Sequence, residues 1–123
     1  MEITMKPGKE LDALIAENVM GLPVLDYNNY GTITVSYEND ENRQAVWVDL
    51  PKYSTDITAA WEVAEKLAEK GFYYEIQQAW SQENTKRCRV YLNDGEARYI
   101  AIGDTAPHAI CLAALKALGV EIE

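Results

Sequence analysis

The sequence predicts an α+β fold in which helices are layered on antiparallel sheet in the order αββαβββα. Three stretches repeat apolar residues at helical spacing between capping residues and glycines, and five short stretches alternate apolar with polar side chains. No repeat, low-complexity tract or long linker breaks the 123 residues, so one domain spanning 1–123 is expected.

Between residues 9 and 20, Leu11, Leu14, Ile15 and Val19 share one helical face while Lys9, Asp12 and Glu17 point elsewhere; Gly21 and Pro23 mark the stop. After a Tyr/Asn loop, GTITVSYEN and AVWVDL read as two half-buried strands around the polar turn NDENR. In YSTDITAAWEVAEKLAEKG, the residues Ile57, Ala60, Trp61, Ala64, Leu67 and Ala68 recur on one face. Ser54 or Thr55 suits the cap of that helix, Asp56 suits its positive end, and Gly71 can close it. Three strands follow: FYYEIQQAW, a segment around KRCRVYL, and EARYIAI, the last two joined by a two-residue turn at Asp94-Gly95. The stretch GDTAPHAICLAALKALG then forms a nearly uncharged helix. Asp104 or Thr105 caps it, Pro107 fits its first turn, and Pro107, Ile110, Cys111, Ala114, Leu115 and Leu118 line one face. Ala109, Ala113 and Ala117 keep its other sides small.

Composition narrows the function. An apolar content of 48% excludes a disordered chain, and a net charge of -9 repels a phosphate backbone, so general nucleic-acid binding is not expected. Cys88 and Cys111 lack metal-ligand spacing and read as free thiols of a reducing cytoplasm. No stretch approaches the roughly 18 apolar residues of a membrane span. Neither a metal nor a cofactor is expected.

The second half shares the element order of a double-stranded RNA-binding domain, but the first turn of its final helix, TAPHAICL, has none of the lysines with which such domains grip phosphates. MKPGKELDALIAENVMG (residues 5 to 21), PKYSTDITAAWEVAEKLAEKGF (51 to 72) and GDTAPHAICLAALKALG (103 to 119) resemble the helical signatures of the phage ABA sandwich domain family, small proteins encoded by phages and prophages of Gram-positive bacteria. The resemblance implies an α/β/α layered fold and a soluble protein of an infected or lysogenic cell. It carries over no catalytic residue.

Three polar groups are candidates for chemistry. His108, with Asp104 four residues earlier, has the side chain of a general base, but no nucleophile motif accompanies it, and a structural first-turn histidine is the simpler reading. Tyr53, Ser54, Thr55 and Asp56 gather at a helix N-terminus, where capping explains them as well as anion binding does. The third group emerges from strand parity. Phe72, Tyr74, Ile76, Cys88, Val90, Leu92, Ala97 and Tyr99 fall on one sheet face, and Tyr73, Glu75, Gln77, Arg87, Arg89, Tyr91 and Arg98 on the other. A two-residue turn sets Tyr91 directly opposite Arg98. Arginine forks suit anions and tyrosine rings suit stacking, so this face fits a small anionic, nucleotide-like ligand or an acidic host protein.

The expected function is a non-enzymatic phage accessory protein that binds and neutralises a host component, such as a defence factor or a nucleotide-derived immune signal. The phage context comes from the resemblance and the binding face from parity. A second reading is an acidic inhibitor or nucleic-acid mimic acting through carboxylates such as Glu38, Asp40 and Glu41; a small enzyme is the third. The oligomeric state, a homo-oligomer included, stays open.

Overall fold

Each predicted helix forms, and each ends for an identifiable local reason. A computed structural model of the chain describes residues 5–22, 24–25, 34–39, 44–80 and 86–120, excluding the side chains of 24–25, 34–39, 44–49, 79–80 and 86. Helix α1 spans Lys9–Asn18, α2 spans Ile57–Glu69 and α3 spans Ala106–Ala117. The cap of α2 is Asp56, whose carboxylate accepts the Thr58 N–H at 3.0 Å, and not Ser54 or Thr55. Gly71, at φ +97°, turns the chain so that the Phe72 N–H bonds back to the Leu67 carbonyl at 3.0 Å. Thr105, one of the two expected caps, accepts the His108 N–H at 3.3 Å and starts α3.

The strands form two antiparallel sheets. β1 (Val24–Leu25), β2 (Thr34–Asn39) and β3 (Gln44–Asp49) make one, in that order; β4 (Tyr73–Trp80), β5 (Lys86–Asn93) and β6 (Arg98–Gly103) make the other. The α+β class and the expected order are therefore observed, with the two-residue β1 added. The loop residues 40–43 lie outside the described residues, as do the side chains of Glu38, Asp40, Glu41, Trp47 and Trp80.

Helix α3 is the hub. It meets α1, α2, β5 and β6, and every residue from Pro107 to Leu115 is buried. The expected apolar face of α3 is thus wider than one stripe, because a helix enclosed on all sides must be apolar or small on all sides. Cys88, Val90, Leu92 and Ala101 supply the buried sheet side of this core, with Phe72, Tyr74, Ile76 and Tyr99 packed at its margin. The seam between Ala64, Leu67, Ile76, Val90, Leu92 and Ile110 leaves no room for a water molecule. Both helices that touch the β4–β6 sheet cover this one face, and α1 reaches the core through α3.

Helix α2 is rotated relative to its expected orientation. Ala60, Val63, Ala64 and Leu67 are its buried stripe, whereas Ile57 and Trp61 are 51% and 44% exposed and Ala68 faces solvent. Packing against α3 on one side and β4 on the other selects the 60/63/64/67 row. Trp61 is left at the border, edge-on to Tyr74 with ring centres 5.7 Å apart. Asp12, expected to point away from the core, is 4% exposed and accepts the Ser54 N–H at 2.8 Å.

The end of β6 approaches α3 so closely that only glycine fits. A Cβ on Gly103 would lie 2.7 Å from the Ala109 backbone nitrogen and 3.0 Å from the His108 ring. Gly103→Ala is expected to lower stability by about 1–3 kcal/mol, the cost of forcing α3 off the sheet, read as a lower midpoint in urea unfolding.

Candidate functional site

Alternation along β4, β5 and β6 sorts the candidate residues. With Cys88, Val90 and Leu92 turned into the core, Arg87, Arg89 and Tyr91 must project from the opposite face, and Tyr73, Glu75 and Gln77 accompany them on β4. That face is open. Tyr73 is 76% exposed, Glu75, Gln77, Arg87 and Arg98 are exposed, and Arg89 and Tyr91 are half-buried.

The turn between β5 and β6 differs from the two-residue expectation. Asn93 pairs with Arg98 across a four-residue loop, so Tyr91 lies opposite Ile100 and not opposite Arg98. The Asp94 carboxylate sets that length by accepting the N–H groups of Glu96 at 2.9 Å and Ala97 at 2.7 Å, while the Asn93 side chain accepts the Gly95 N–H at 2.7 Å. Those hydrogen bonds hold the Asp94 carboxyl below its ordinary value. The register differs from expectation by an even number of residues, so every side chain stays on its expected face.

Arg98 still meets Tyr91, diagonally. Its guanidinium carbon lies 4.2 Å from the centre of the Tyr91 ring, and Arg89 Nη1 donates to the Tyr91 hydroxyl at 3.1 Å. Glu75 pairs in register with Tyr91, and Gln77 with Arg89. Among the described residues no carboxylate forms an ion pair with Arg87, Arg89 or Arg98; the ion pair found there joins Lys66 to Glu69 at 3.6 Å on α2. Ile100, 37% exposed, and Ile102 complete the same face. Both are missing from the face expected from sequence, although their parity with Arg98 in EARYIAI was the signal that could have placed them there.

The secondary candidates are locked into the frame. His108 is 4% exposed, its Nε2 bonds the Met5 carbonyl at 2.7 Å, and its Nδ1 accepts the Asp104 backbone N–H at 3.2 Å. One neutral tautomer, protonated at Nε2, satisfies both contacts. Asp104 thus meets His108 through its backbone, while its carboxylate faces solvent. Tyr53 and Ser54 are 1% and 0% exposed; burial pushes the Tyr53 phenol up to about 12, and the Ser54 hydroxyl accepts the Gly8 N–H at 2.9 Å. Burial also raises both cysteine thiols, away from the reactive thiolate. No group of three or more His, Cys, Asp or Glu side chains among the described residues is arranged to hold a metal ion, and no described helix is long and apolar enough to cross a membrane.

Helices packed over one face of an antiparallel sheet place the chain among α+β layered proteins. The chain belongs to the phage ABA sandwich domain family, whose sequence profile matches residues 13–115. It is similar to a phage protein from Bacillus cereus of known crystal structure, with a TM-score of 0.66 and 25% identity over 100% of this chain and 96% of that one. No curated protein matches it.

Asp12 and His108 make separate predictions. Burial raises the Asp12 carboxyl above its ordinary value, against the opposing pull of the Ser54 hydrogen bonds and the Lys52 charge. Its stabilising contribution is therefore fully present below the unfolded-state value and is lost as pH rises through the higher folded-state value. Asp12→Asn should remove this component, so its stability relative to the parent should rise as pH climbs from the ordinary carboxylate value through the higher folded-state one, read in urea melts across that range. Asp12→Ala strands the Ser54 N–H and should cost about 1–3 kcal/mol at neutral pH. His108→Ala releases the Met5 carbonyl, with an expected loss of similar size, about 1–3 kcal/mol, checked by the same unfolding measurement.

Proposed function

We propose that this chain is a non-enzymatic binding protein that captures an anionic host molecule on the open β4–β6 face. In doing so it neutralises a component of the infected cell, either a defence factor or a nucleotide-derived immune signal. One observation carries the reading: three arginines share a solvent-facing sheet in a chain of net charge -9, and no described carboxylate pairs with any of them. An acidic protein has carboxylates to spare for such pairs. Guanidiniums without them keep their charge and their donors available for a ligand.

The non-enzymatic part rests on what the described residues bring together. The one histidine has both nitrogens engaged and both thiols are buried, so among the described residues neither the imidazole nor a thiol stands ready as base or nucleophile. Family membership supplies the phage setting.

A second reading, an inhibitor that imitates nucleic acid through its carboxylates, is favoured by the charge of -9. Charge reversal separates the two. After incubation with small-molecule extract of a host with active nucleotide-signalling defences, native mass spectrometry of the purified chain should show an adduct of small-molecule mass. Arg89→Glu/Arg98→Glu, with folding verified by circular dichroism, should lose it. An adduct that survives the double substitution removes the arginine face from the function. A bare parent protein, alongside a control binder that captures its own ligand, favours the inhibitor.

A further inference from the structure

We infer that the group this face holds is a terminal phosphate, the dianion of a phosphomonoester; the inference rests on the anion-capture reading above. Two guanidiniums converge on one side chain, Arg89 at the hydroxyl of Tyr91 and Arg98 over its ring, at 3.1 Å and 4.2 Å. Like charges gathered this closely repel each other, and no described carboxylate offsets them. The Tyr91 hydroxyl accepts from Arg89, and its own O–H has no acceptor among the described residues. The cluster therefore offers two cations and three sets of donors, and its one acceptor, the Tyr91 oxygen, is already engaged by Arg89.

That inventory matches one common biological group. A phosphomonoester brings a charge of about -1.5 to -2 and three terminal oxygens, enough to answer two forks and a hydroxyl. A carboxylate brings one charge and two oxygens, which leaves one arginine unanswered. A phosphodiester also brings one charge, and its polymers meet the net repulsion of a chain at -9. Glu75, in register with Tyr91, is the one carboxylate on this face among the described strand residues; it makes no ion pair with the arginines, but its negative charge competes with an incoming anion for the same positive field.

Nuclear magnetic resonance titration of the full chain tests the assignment with three simple probes: methyl phosphate, dimethyl phosphate and acetate. Methyl phosphate should bind about tenfold or more tightly than either of the others, with shifts centred on the Arg89, Tyr91 and Arg98 signals. Tyr91→Phe should weaken methyl phosphate binding by about five- to tenfold through loss of the hydroxyl donor. Glu75→Gln, which removes the competitor without disturbing the arginines, should tighten it. Ribose 5-phosphate and adenosine 5′-monophosphate then distinguish a sugar-phosphate source from a nucleotide, the latter binding more tightly if the base contributes; either result retains the phosphate. Acetate or dimethyl phosphate binding as tightly as methyl phosphate overturns the phosphate assignment and leaves anion capture standing. No binding of any probe, together with no adduct from the host extract, overturns both.

Discussion

A helix enclosed on every side sets the terms for the rest of this fold. Every residue of α3 between Pro107 and Leu115 is buried, so its closest neighbours approach over alanine and its first turn finds polar partners inside the protein. Gly103 gives the sheet its closest approach, and Thr105 satisfies one orphan N–H. His108 carries the same logic outward. Its ring ties the Asp104 backbone to Met5, so the segment preceding α1 is anchored to the helix on which α1 itself packs. Ser54 repeats the device, joining Gly8 and Asp12 to the entrance of α2.

The β6 edge of the second sheet is covered by a charge. Lys116, on α3, donates its ammonium to the Ile100 carbonyl of β6 at 3.0 Å, so a cation on the hub helix guards one outer strand. Across the sheet the arginine face is the electrostatic exception in an acidic molecule. At physiological salt a charge is felt over about 8 Å, so the exposed arginines govern their own neighbourhood while the net negative charge governs the approach of anything larger. That combination favours compact anions over extended ones.

Periodicity made the elements legible and parity made the face legible, because both are local. The helices at 57–69 and 106–117 follow directly from cap, apolar spacing and closing glycine. What the sequence left ambiguous was orientation. In α2 the rows containing Trp61 and Val63 both fit a helical stripe through Ala60, Ala64 and Leu67, and only the position of α3 and β4 chooses between them. The turn after β5 depended on the Asp94 side chain bonding two backbone N–H groups ahead of it, which the Asp-Gly pair does not reveal. Asp12 was illegible for the same reason. A single acid beside an apolar stripe looks solvated until Ser54, 42 residues away, is brought against it.

Because α3 follows α1, α2 and the β4–β6 sheet in chain order, the hub of the core is synthesised after the elements it covers. Elements made earlier, α1, α2 and the β4–β6 sheet among them, have their apolar sides ready before the helix that covers them exists. At a synthesis rate of about 5–20 residues per second the delay is seconds, long compared with helix formation and collapse. Until α3 is made, the apolar sides of those elements lack the helix that joins them, and the core cannot be closed. An enclosed helix that follows its own neighbours in the chain thus makes completion of the core wait on synthesis.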